Sequence, residues 1–252
     1  MKFSFNSSNN AEALKAKARF ISKYDQHLPK DADVIIPIGG DGFLLKNLHD
    51  FNELNIPFFG INYGSIGFLM NSETNDNLEN IINNSQMISL KALEMKSTNI
   101  KDKVFKSIAY NEVALMRQTH QAAKINIEIN KIKRIEELIC DGILVSTPAG
   151  STAYNLSAHG SIIPLDSNLL ALTPISAFRP RRWRGALLQE KNTITFNIID
   201  YENRPVSVTS DNTEFRDIKK VEVYSSEKYF CKLLFDSKHS MEERILKEQF
   251  YS

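Results

Sequence analysis

The first hundred residues switch repeatedly between the apolar spacings that are typical of buried strands and of helices. Leu14, Ala18 and Ile21 recur at helical spacing, and the stretch VIIPI at residues 34–38 is apolar throughout, as in a buried strand. In all, the pattern predicts strands over residues 2–5, 33–38 and 56–62, and helices over residues 11–24, 43–51 and 75–82. Strands that alternate with helices favour a parallel α/β sheet.

The spacing changes after about residue 104, where the apolar runs become short and rich in Val, Ile, Thr and Phe. Ile125, Ile127 and Ile129 alternate with polar residues, which places them on one face of a strand. Similar runs follow at residues 193–199, 206–209 and 221–224. This half is predicted to form packed antiparallel sheets. We therefore expect an α/β domain over residues 1–100 and a β-rich domain over residues 101–235.

The end of the chain has the signature of a helix. Ser240 and Glu243 have the spacing of a capping box, and the helix predicted over residues 241–250 carries Ile245 and Leu246 for packing. We expect this tail, residues 236–252, to dock back on the α/β domain.

The composition limits the kinds of partner. Of the 252 residues 42% are hydrophobic, and 31 Lys and Arg against 30 Asp and Glu give a net charge of +1. Such a chain has no overall field that would draw it to nucleic acid or to an anionic membrane, and we expect neither. Without a signal-like start or a long apolar run, a cytoplasmic location is predicted. Cys140 and Cys231 stand far apart, as expected of buried thiols rather than of a disulfide framework or zinc site.

A glycine-rich loop joins the second predicted strand to the following helix. Its sequence is Gly39-Gly-Asp-Gly42, and glycines let a backbone turn sharply and approach a ligand closely. The loop lies where ligands of open α/β folds bind, and the helix N-terminus favours anions. Asp41 is unexpected in a loop that only holds phosphate. Either it caps the helix, or it orients a hydroxyl or accepts a proton. The loop matches neither a P-loop nor a dinucleotide fingerprint.

Two further stretches carry polar side chains where a core would not need them. Asn111 and Glu112 are adjacent within a strand-like run over residues 109–113, so they would point to opposite faces, and at least one needs a polar partner. Residues 141–154, DGILVSTPAGSTAY, run from a short strand into a loop of hydroxyls and small residues that ends at Tyr154. This loop could wrap a nucleotide, with Tyr154 stacked on a ring, or it could be a Ser/Thr-rich turn that caps the next helix.

Together these stretches resemble the NAD kinase family, whose signatures are a GGDG loop, an Asn-Glu pair and a T-P-x-G-S-T-A-Y segment in that order. Here they stand at residues 39–42, 111–112 and 147–154. The stretch GINYGSIGFL at residues 60–69 is similar to a further family segment. The resemblance is strong over residues 33–160 and weaker around residues 206–211.

The resemblance implies transfer of the terminal phosphoryl group of ATP, or of polyphosphate, to the 2′-hydroxyl of the adenosine ribose of NAD, which gives NADP. It makes Asp41 the carboxylate that orients and deprotonates this hydroxyl, and it makes Gly39, Gly40 and Gly42 a phosphate loop. The implied NAD-binding residues are Asp41, Gly42, Asn111, Glu112, Asp141, Ala149, Thr152, Ala153, Tyr154 and Ser157.

The resemblance also implies a two-domain architecture, in which an α/β domain is followed by an all-β, sandwich-like domain that binds the dinucleotide, with the site in the crevice between them. NAD and ATP would be the small-molecule substrates, and homodimers or homotetramers are expected. Mg²⁺ would arrive with ATP, and no dedicated metal ligands are expected in the chain.

Some positions depart from the family pattern. Phe43 stands where many members have Thr, which leaves the donor preference open, and His159 stands where Gly is frequent. Asp211 lacks the glycine that often follows it. The four arginines within residues 179–184 form either a solvated basic turn or a site for phosphate or a neighbouring subunit. Two rival functions share part of the pattern: a diacylglycerol-type lipid kinase, which also has GGDG, and a non-catalytic dinucleotide-binding module.

Overall fold

The computed structural model describes residues 1–64, 67–73, 77–181 and 183–237. The chain forms two compact units, one made of Met1–Leu90 with the described residues 230–237, and one made of Lys91–Tyr229. The helix predicted over residues 241–250, and most of the tail that was expected to dock, lie outside the described residues.

The first unit contains a parallel sheet flanked by helices, as the alternating pattern predicts. Its elements are β1 (Phe3–Ser7), α1 (Ala11–Tyr24), β2 (Val34–Gly39), α2 (Asp41–Asp50), β3 (Ile61–Asn62) and α3 (Leu78–Asn83). The strands are ordered β1-β2-β3, and both neighbouring pairs are parallel. The strand expected over residues 56–62 is much shorter. Before β3, Phe58 makes only isolated parallel bridges with Ile35 and Leu233.

Helix α1 shows what periodicity located and what it missed. The helix begins where the Asn10 side chain accepts the backbone N–H of Ala13 at 2.7 Å, a standard N-cap. The apolar spacing predicted this helix correctly but not its buried face, because Leu14 is 50% exposed. Ala13 instead faces the core with Ala16 and Phe20, and the Phe20 ring stacks on that of Phe5 at 5.6 Å.

The second unit is a sandwich of antiparallel sheets. Its elements are most of β4 (Gln86–Asn99), then β5 (Val104–Ala109), β6 (Glu112–Arg117), β7 (Ala123–Ile129), β8 (Ile132–Cys140), β9 (Gly142–Ser146), α4 (Tyr154–Ser157), β10 (Leu169–Ile175), β11 (Ala186–Gln189), β12 (Ile194–Ile198), β13 (Val206–Ser210), β14 (Thr213–Phe215) and the first part of β15 (Ile218–Phe235). Residues 86–90 of β4 and 230–235 of β15 belong to the first unit. One six-stranded sheet has the order β11-β10-β9-β6-β13-β14, and the other β5-β4-β15-β12-β7-β8.

The core of the second unit draws buried side chains from both sheets. Ile125 and Ile127 of β7 and Phe196 of β12 belong to the same cluster as Val113 of β6 and Val145 of β9. The strict alternation of residues 125–129 therefore identified a face of the sandwich. The predicted fold class, an α/β domain plus a β-sandwich domain, is confirmed.

Candidate active site

The glycine loop places Asp41 at the first residue of α2. The N-cap position belongs to Gly40, and no side chain caps this helix. The Asp41 carboxylate instead accepts the backbone N–H groups of Phe68 at 2.8 Å and Leu69 at 3.1 Å. The helix-cap alternative for Asp41 is therefore wrong: its side chain is oriented by a turn more than twenty residues further along the chain.

The glycines at positions 40, 42 and 64 differ in what surrounds them. A Cβ on Gly64 would lie 3.0 Å from the Gly40 Cα, so the two backbones approach closely at this point. At Gly42 no atom of the described residues lies within 4 Å of the position of a Cβ, and the residue is exposed. Close packing thus explains the glycine at position 64, whereas a Cβ on Gly40 would lie at an ordinary 3.7 Å from the Gly64 Cα, and the described residues leave the space beside Gly42 open to another molecule.

In the second unit, the loop after β9 is packed against the predicted Asn-Glu pair. The Thr147 hydroxyl donates to the Tyr110 carbonyl at 2.6 Å and accepts the Gly150 N–H at 3.0 Å. The Thr147 N–H donates to the Asn111 carbonyl at 2.9 Å. A side chain on Gly150 would collide with the backbone of Asn111. The structure therefore brings residues 110–112 and 147–150 together.

The run over residues 109–113 is not one strand, contrary to the sequence prediction. Strand β5 ends at Ala109, and β6 begins at Glu112. The turn between them is held by the Asp211 carboxylate, which accepts the N–H groups of Tyr110 at 2.7 Å, Asn111 at 3.0 Å and Glu112 at 3.2 Å. Asn111 therefore lies in a turn, and the argument from opposite strand faces does not apply to it. Asp211 was not predicted as a site residue, although the weaker family resemblance around residues 206–211 pointed to it.

Glu112 is a largely buried carboxyl group. Among the described residues its Oε2 atom has no hydrogen-bond partner. Burial, and secondarily the negative charge of Asp211, raise the pKa of Glu112 to about 8. An unpaired polar atom in a buried position is costly unless a ligand completes its hydrogen bonds.

Tyr154 lies near this carboxyl group with its ring partly accessible. The side chain is 36% exposed, and its hydroxyl donates to the Met116 sulfur at 3.4 Å. Burial raises the pKa of Tyr154, and the charges of Glu112 and Asp141 raise it further. Tyr154 is thus close enough to both carboxylates for their negative charges to disfavour its ionisation.

The other predicted residues surround this loop or lie at the start of β9. Asp141 forms an ion pair of 2.6 Å with Arg117 Nε. Ala149 is buried, Thr152 and Ala153 are half-buried, and Ser157 is exposed at the end of α4. The structure brings Asn111 and Glu112 together with the segment that carries Ala149, Thr152, Ala153 and Tyr154. Gly39, Gly40, Asp41 and Gly42 belong to the first unit.

A buried amide holds the segment after Tyr154, and sequence reasoning did not find it. Asn155 is fully buried, and its Nδ2 donates to the carbonyls of Ser151 at 3.0 Å and Ser161 at 2.9 Å. Its Oδ1 accepts the Thr173 hydroxyl at 2.7 Å. Every polar atom of this side chain is used to fix the loop. A Ser/Thr-rich sequence alone does not indicate which amide will be buried.

The arginine cluster forms an exposed turn. The guanidinium groups of Arg179 and Arg181 lie over the Phe178 ring at 5.2 and 6.0 Å. Arg184 is exposed, whereas Trp183 packs against the sandwich core. Arg182 lies outside the described residues.

The described residues hold no ready-made metal centre or membrane span. Nowhere in this part of the chain are three or more His, Cys, Asp or Glu side chains grouped so that they could hold a metal ion. None of its helices is both long and apolar enough to cross a membrane.

Comparison with known families gives two domain matches, in the order that the motifs predict. Residues 1–89 match the ATP-NAD kinase N-terminal domain, and residues 110–234 match the ATP-NAD kinase C-terminal domain. Together the two matches cover most of the chain, apart from residues 90–109 and 235–252.

Solved structures share the fold. A yeast NADH kinase in complex with NADH superposes with a TM-score of 0.83 at 18% identity, covering 100% of this chain and 88% of the yeast chain. An NAD kinase from Archaeoglobus fulgidus in complex with ATP has a TM-score of 0.76 at 19% identity, over 94% of this chain and 95% of the other.

Sequence relatives are much more similar. A NAD kinase of Caulobacter vibrioides is 47% identical over 249 residues, which are 99% of this chain and 96% of the relative. A NAD kinase of Rickettsia felis is 52% identical over 221 residues, 88% of this chain and 87% of the relative. Since both domain families match in order and near-full-length relatives are about half identical, the chain belongs to the NAD kinase family.

Proposed function

We propose that this chain, an enzyme of the phosphotransferase class, transfers the terminal phosphoryl group of ATP to the 2′-hydroxyl of the adenosine ribose of NAD and forms NADP and ADP. The family membership supports the phosphorylation of NAD by ATP. It gives no support to a lipid kinase or to a non-catalytic dinucleotide-binding module.

Asp41 is the proposed base, and the orientation of its carboxylate is the observation that carries this role. Two backbone N–H groups hold the carboxylate at 2.8 and 3.1 Å. An ionised carboxylate accepts hydrogen bonds at both oxygens, which is the property that a base for the ribose hydroxyl needs. A base fixed in this way is worth typically ~10²- to 10⁴-fold in rate.

The proposed reaction is a direct displacement at the γ-phosphorus of ATP. The ribose 2′-oxygen forms a bond to the γ-phosphorus while the bond from that phosphorus to the β,γ-bridging oxygen breaks. ADP leaves with the bonding electrons, and the hydroxyl proton passes to Asp41 and then to water. Because the protein contributes little covalent chemistry, positioning and charge stabilisation dominate the catalysis. The open space beside Gly42, at the N-terminus of α2, suits the anionic phosphates.

The second unit supplies the proposed surface for the dinucleotide. The partly exposed Tyr154 ring is suited to stack on a base. The Oε2 atom of Glu112, which has no partner in the described part of the chain, and the amide of Asn111 suit ribose hydroxyls and base edges. Asp141, Ala149, Thr152, Ala153 and Ser157 complete the proposed NAD-binding set.

Mg²⁺ and the assembly state complete the proposal. The cation would be held by the triphosphate and by water, since the described side chains form no metal cage, and it would neutralise charge on the phosphates. A homodimer or homotetramer is proposed from the family resemblance. Light scattering on the purified protein measures this directly.

The activity test is a coupled assay. The purified chain is incubated with NAD, ATP and Mg²⁺, and NADP is detected with an NADP-specific dehydrogenase. NADP should appear, and EDTA should abolish it. Parallel reactions with NADH as acceptor and with polyphosphate as donor establish the specificity. Phosphorylation of diacylglycerol without formation of NADP would contradict the proposal.

A further inference from the structure

The turn that orients Asp41 is followed closely by a buried polar residue, Asn71. Phe68 and Leu69 donate their N–H groups to the Asp41 carboxylate, and the chain reaches Asn71 two residues later. Asn71 is a polar residue with 0% exposure. A fully buried amide is costly unless its donors and acceptor are hydrogen-bonded, so the partners of Asn71 show which segments it holds together.

All the polar groups of Asn71 are paired, and the partners come from two other segments. Its N–H donates to the Gly60 carbonyl at 2.7 Å, and its carbonyl accepts the Asn62 N–H at 2.8 Å. The side-chain Nδ2 donates to the carbonyls of Gly60 at 3.2 Å and Leu234 at 2.9 Å. The Oδ1 atom accepts the Asp236 N–H at 2.9 Å. Asn71 thus joins the start of β3 to the end of β15, within one unit.

The close packing of the residues next to Asn71 couples its position to that of the turn. Leu69 and Met70 are 7% and 1% exposed, and the Met70 sulfur lies where a side chain on Gly60 would otherwise go. Close-packed side chains of this kind move together. A shift of Asn71 would therefore displace the Phe68 and Leu69 N–H groups relative to Asp41.

We propose that Asn71 is a positioning residue for phosphoryl transfer: its side-chain amide fixes the turn whose N–H groups orient the Asp41 carboxylate. Only an amide of this length provides both the two donors and the acceptor that the three partners require. The inference rests on the proposed role of Asp41 as the base.

The first test compares two buried amides. Asn71→Ala should lower kcat by ~10- to 100-fold, since misplacement of a catalytic group by about 1 Å can cost 10²-fold, while the KM for NAD changes less than ~3-fold. Asn126→Ala is the matched control. Asn126 is 8% exposed, and its Nδ2 donates to the carbonyls of Ile135 at 3.0 Å and Glu136 at 3.2 Å in the other unit. This control should lose a similar amount of thermal stability but keep its kcat.

A double-mutant cycle separates positioning from general damage. If Asn71 acts through Asp41, adding Asn71→Ala to Asp41→Asn should lower the residual kcat less than ~2-fold, because the group that it positions has already lost its function. If the same ~10- to 100-fold loss appears on top of Asp41→Asn, the two effects are independent and the proposal is wrong.

Two further outcomes overturn the proposal. One is a wild-type kcat in Asn71→Ala, measured well below its melting temperature. The other is an equal loss of kcat in the Asn126 control. Should the Ala variant not fold, Asn71→Ser, which keeps one hydroxyl, is judged by the same criteria. A normal kcat in Asn71→Ala together with an inactive Asp41→Asn would reject only the role of Asn71. Full activity of Asp41→Asn would instead reject the base.

Discussion

The carboxylate of Asp211 accepts the backbone N–H of Asn111 at 3.0 Å, across 100 positions of the chain. The same carboxylate also accepts the N–H groups of Tyr110 and Glu112. One acidic side chain therefore shapes the turn that presents the proposed NAD-binding pair. The function of this side chain can be tested separately from the contacts proposed between the pair and NAD.

Asp211→Asn should weaken NAD binding. The new amide presents a donor where three N–H groups need acceptors, and an unsatisfied buried donor costs about 1–3 kcal/mol. We expect the dissociation constant for NAD, measured by calorimetry, to rise roughly 5- to 150-fold, the equivalent of that cost. Asp200→Asn is the control, since Asp200 also has a positive φ, 56° against 47° for Asp211. Unchanged NAD affinity in Asp211→Asn would contradict the role assigned to this carboxylate.

Asp41→Asn should lower kcat by at least about 10²-fold, because the amide cannot accept the proton of the ribose hydroxyl. The dissociation constant for NAD should move less than ~10-fold, the pattern of an interaction made chiefly in the transition state. Steady-state kinetics and calorimetry measure the two quantities. Asp33→Asn is the matched control, since Asp33 Oδ2 accepts the Lys2 N–H at 2.7 Å in the same unit. A variant that retains more than about half of the wild-type turnover would remove Asp41 from catalysis.

Gly42→Ala should separate stability from activity. Among the residues that the structure describes, no atom lies within 4 Å of an alanine Cβ at this exposed helical position, and replacement of a helical Gly stabilises by up to ~1 kcal/mol. The melting temperature should therefore stay the same or rise, while the KM for ATP or NAD should increase several-fold because the methyl group occupies ligand space. Wild-type kinetics would show that the space beside Gly42 is not used by a substrate, and a loss of stability would show that the protein itself occupies that space.

Tyr154→Ala should weaken NAD binding by roughly 1–3 kcal/mol, by analogy with the stacking of bases on aromatic rings. The melting temperature should change little, since the ring is 36% exposed. Tyr224→Ala is a suitable comparison because Tyr224 is 37% exposed in the same unit. The opposite result, a large loss of stability with unchanged NAD affinity, would indicate that Tyr154 has a structural role.

Glu112 should make the stability of the ligand-free protein depend on pH. Burial raises its pKa from 4.5 to about 8, so between these values the folded state binds more protons than the unfolded state. Its contribution is therefore most favourable below pH 4.5 and is lost as the pH rises towards 8. The slope for one group approaches ~1.4 kcal/mol per pH unit.

Chemical denaturation of Glu112→Gln across this pH range measures that contribution. The variant should lose this part of the slope, whereas Glu136→Gln, whose side chain is 88% exposed, should keep it. Identical slopes in wild type and Glu112→Gln would show that the carboxyl group titrates as if it were in water.

The sequence alone determined the elements that depend on local physics. Helix α1 follows from a capping Asn10 and an apolar spacing of 3.6 residues, and the sandwich strand β7 follows from the alternation of three isoleucines. The glycine loop between a buried strand and a helix was also readable, since strand, turn and helix signals lie within a few residues of each other. The order of the three motifs predicted the family.

Only the tertiary structure decided which groups hold the proposed active-site residues. Asp211 reaches Asn111 across 100 positions, and Asn71 reaches Leu234 across 163. The tertiary structure also interrupts the predicted strand at Asn111, and it buries the Glu112 carboxyl deeply enough to raise its pKa. Periodicity and turn chemistry act over a few residues, whereas buried hydrogen bonds and desolvation depend on which distant segments the packed core brings together.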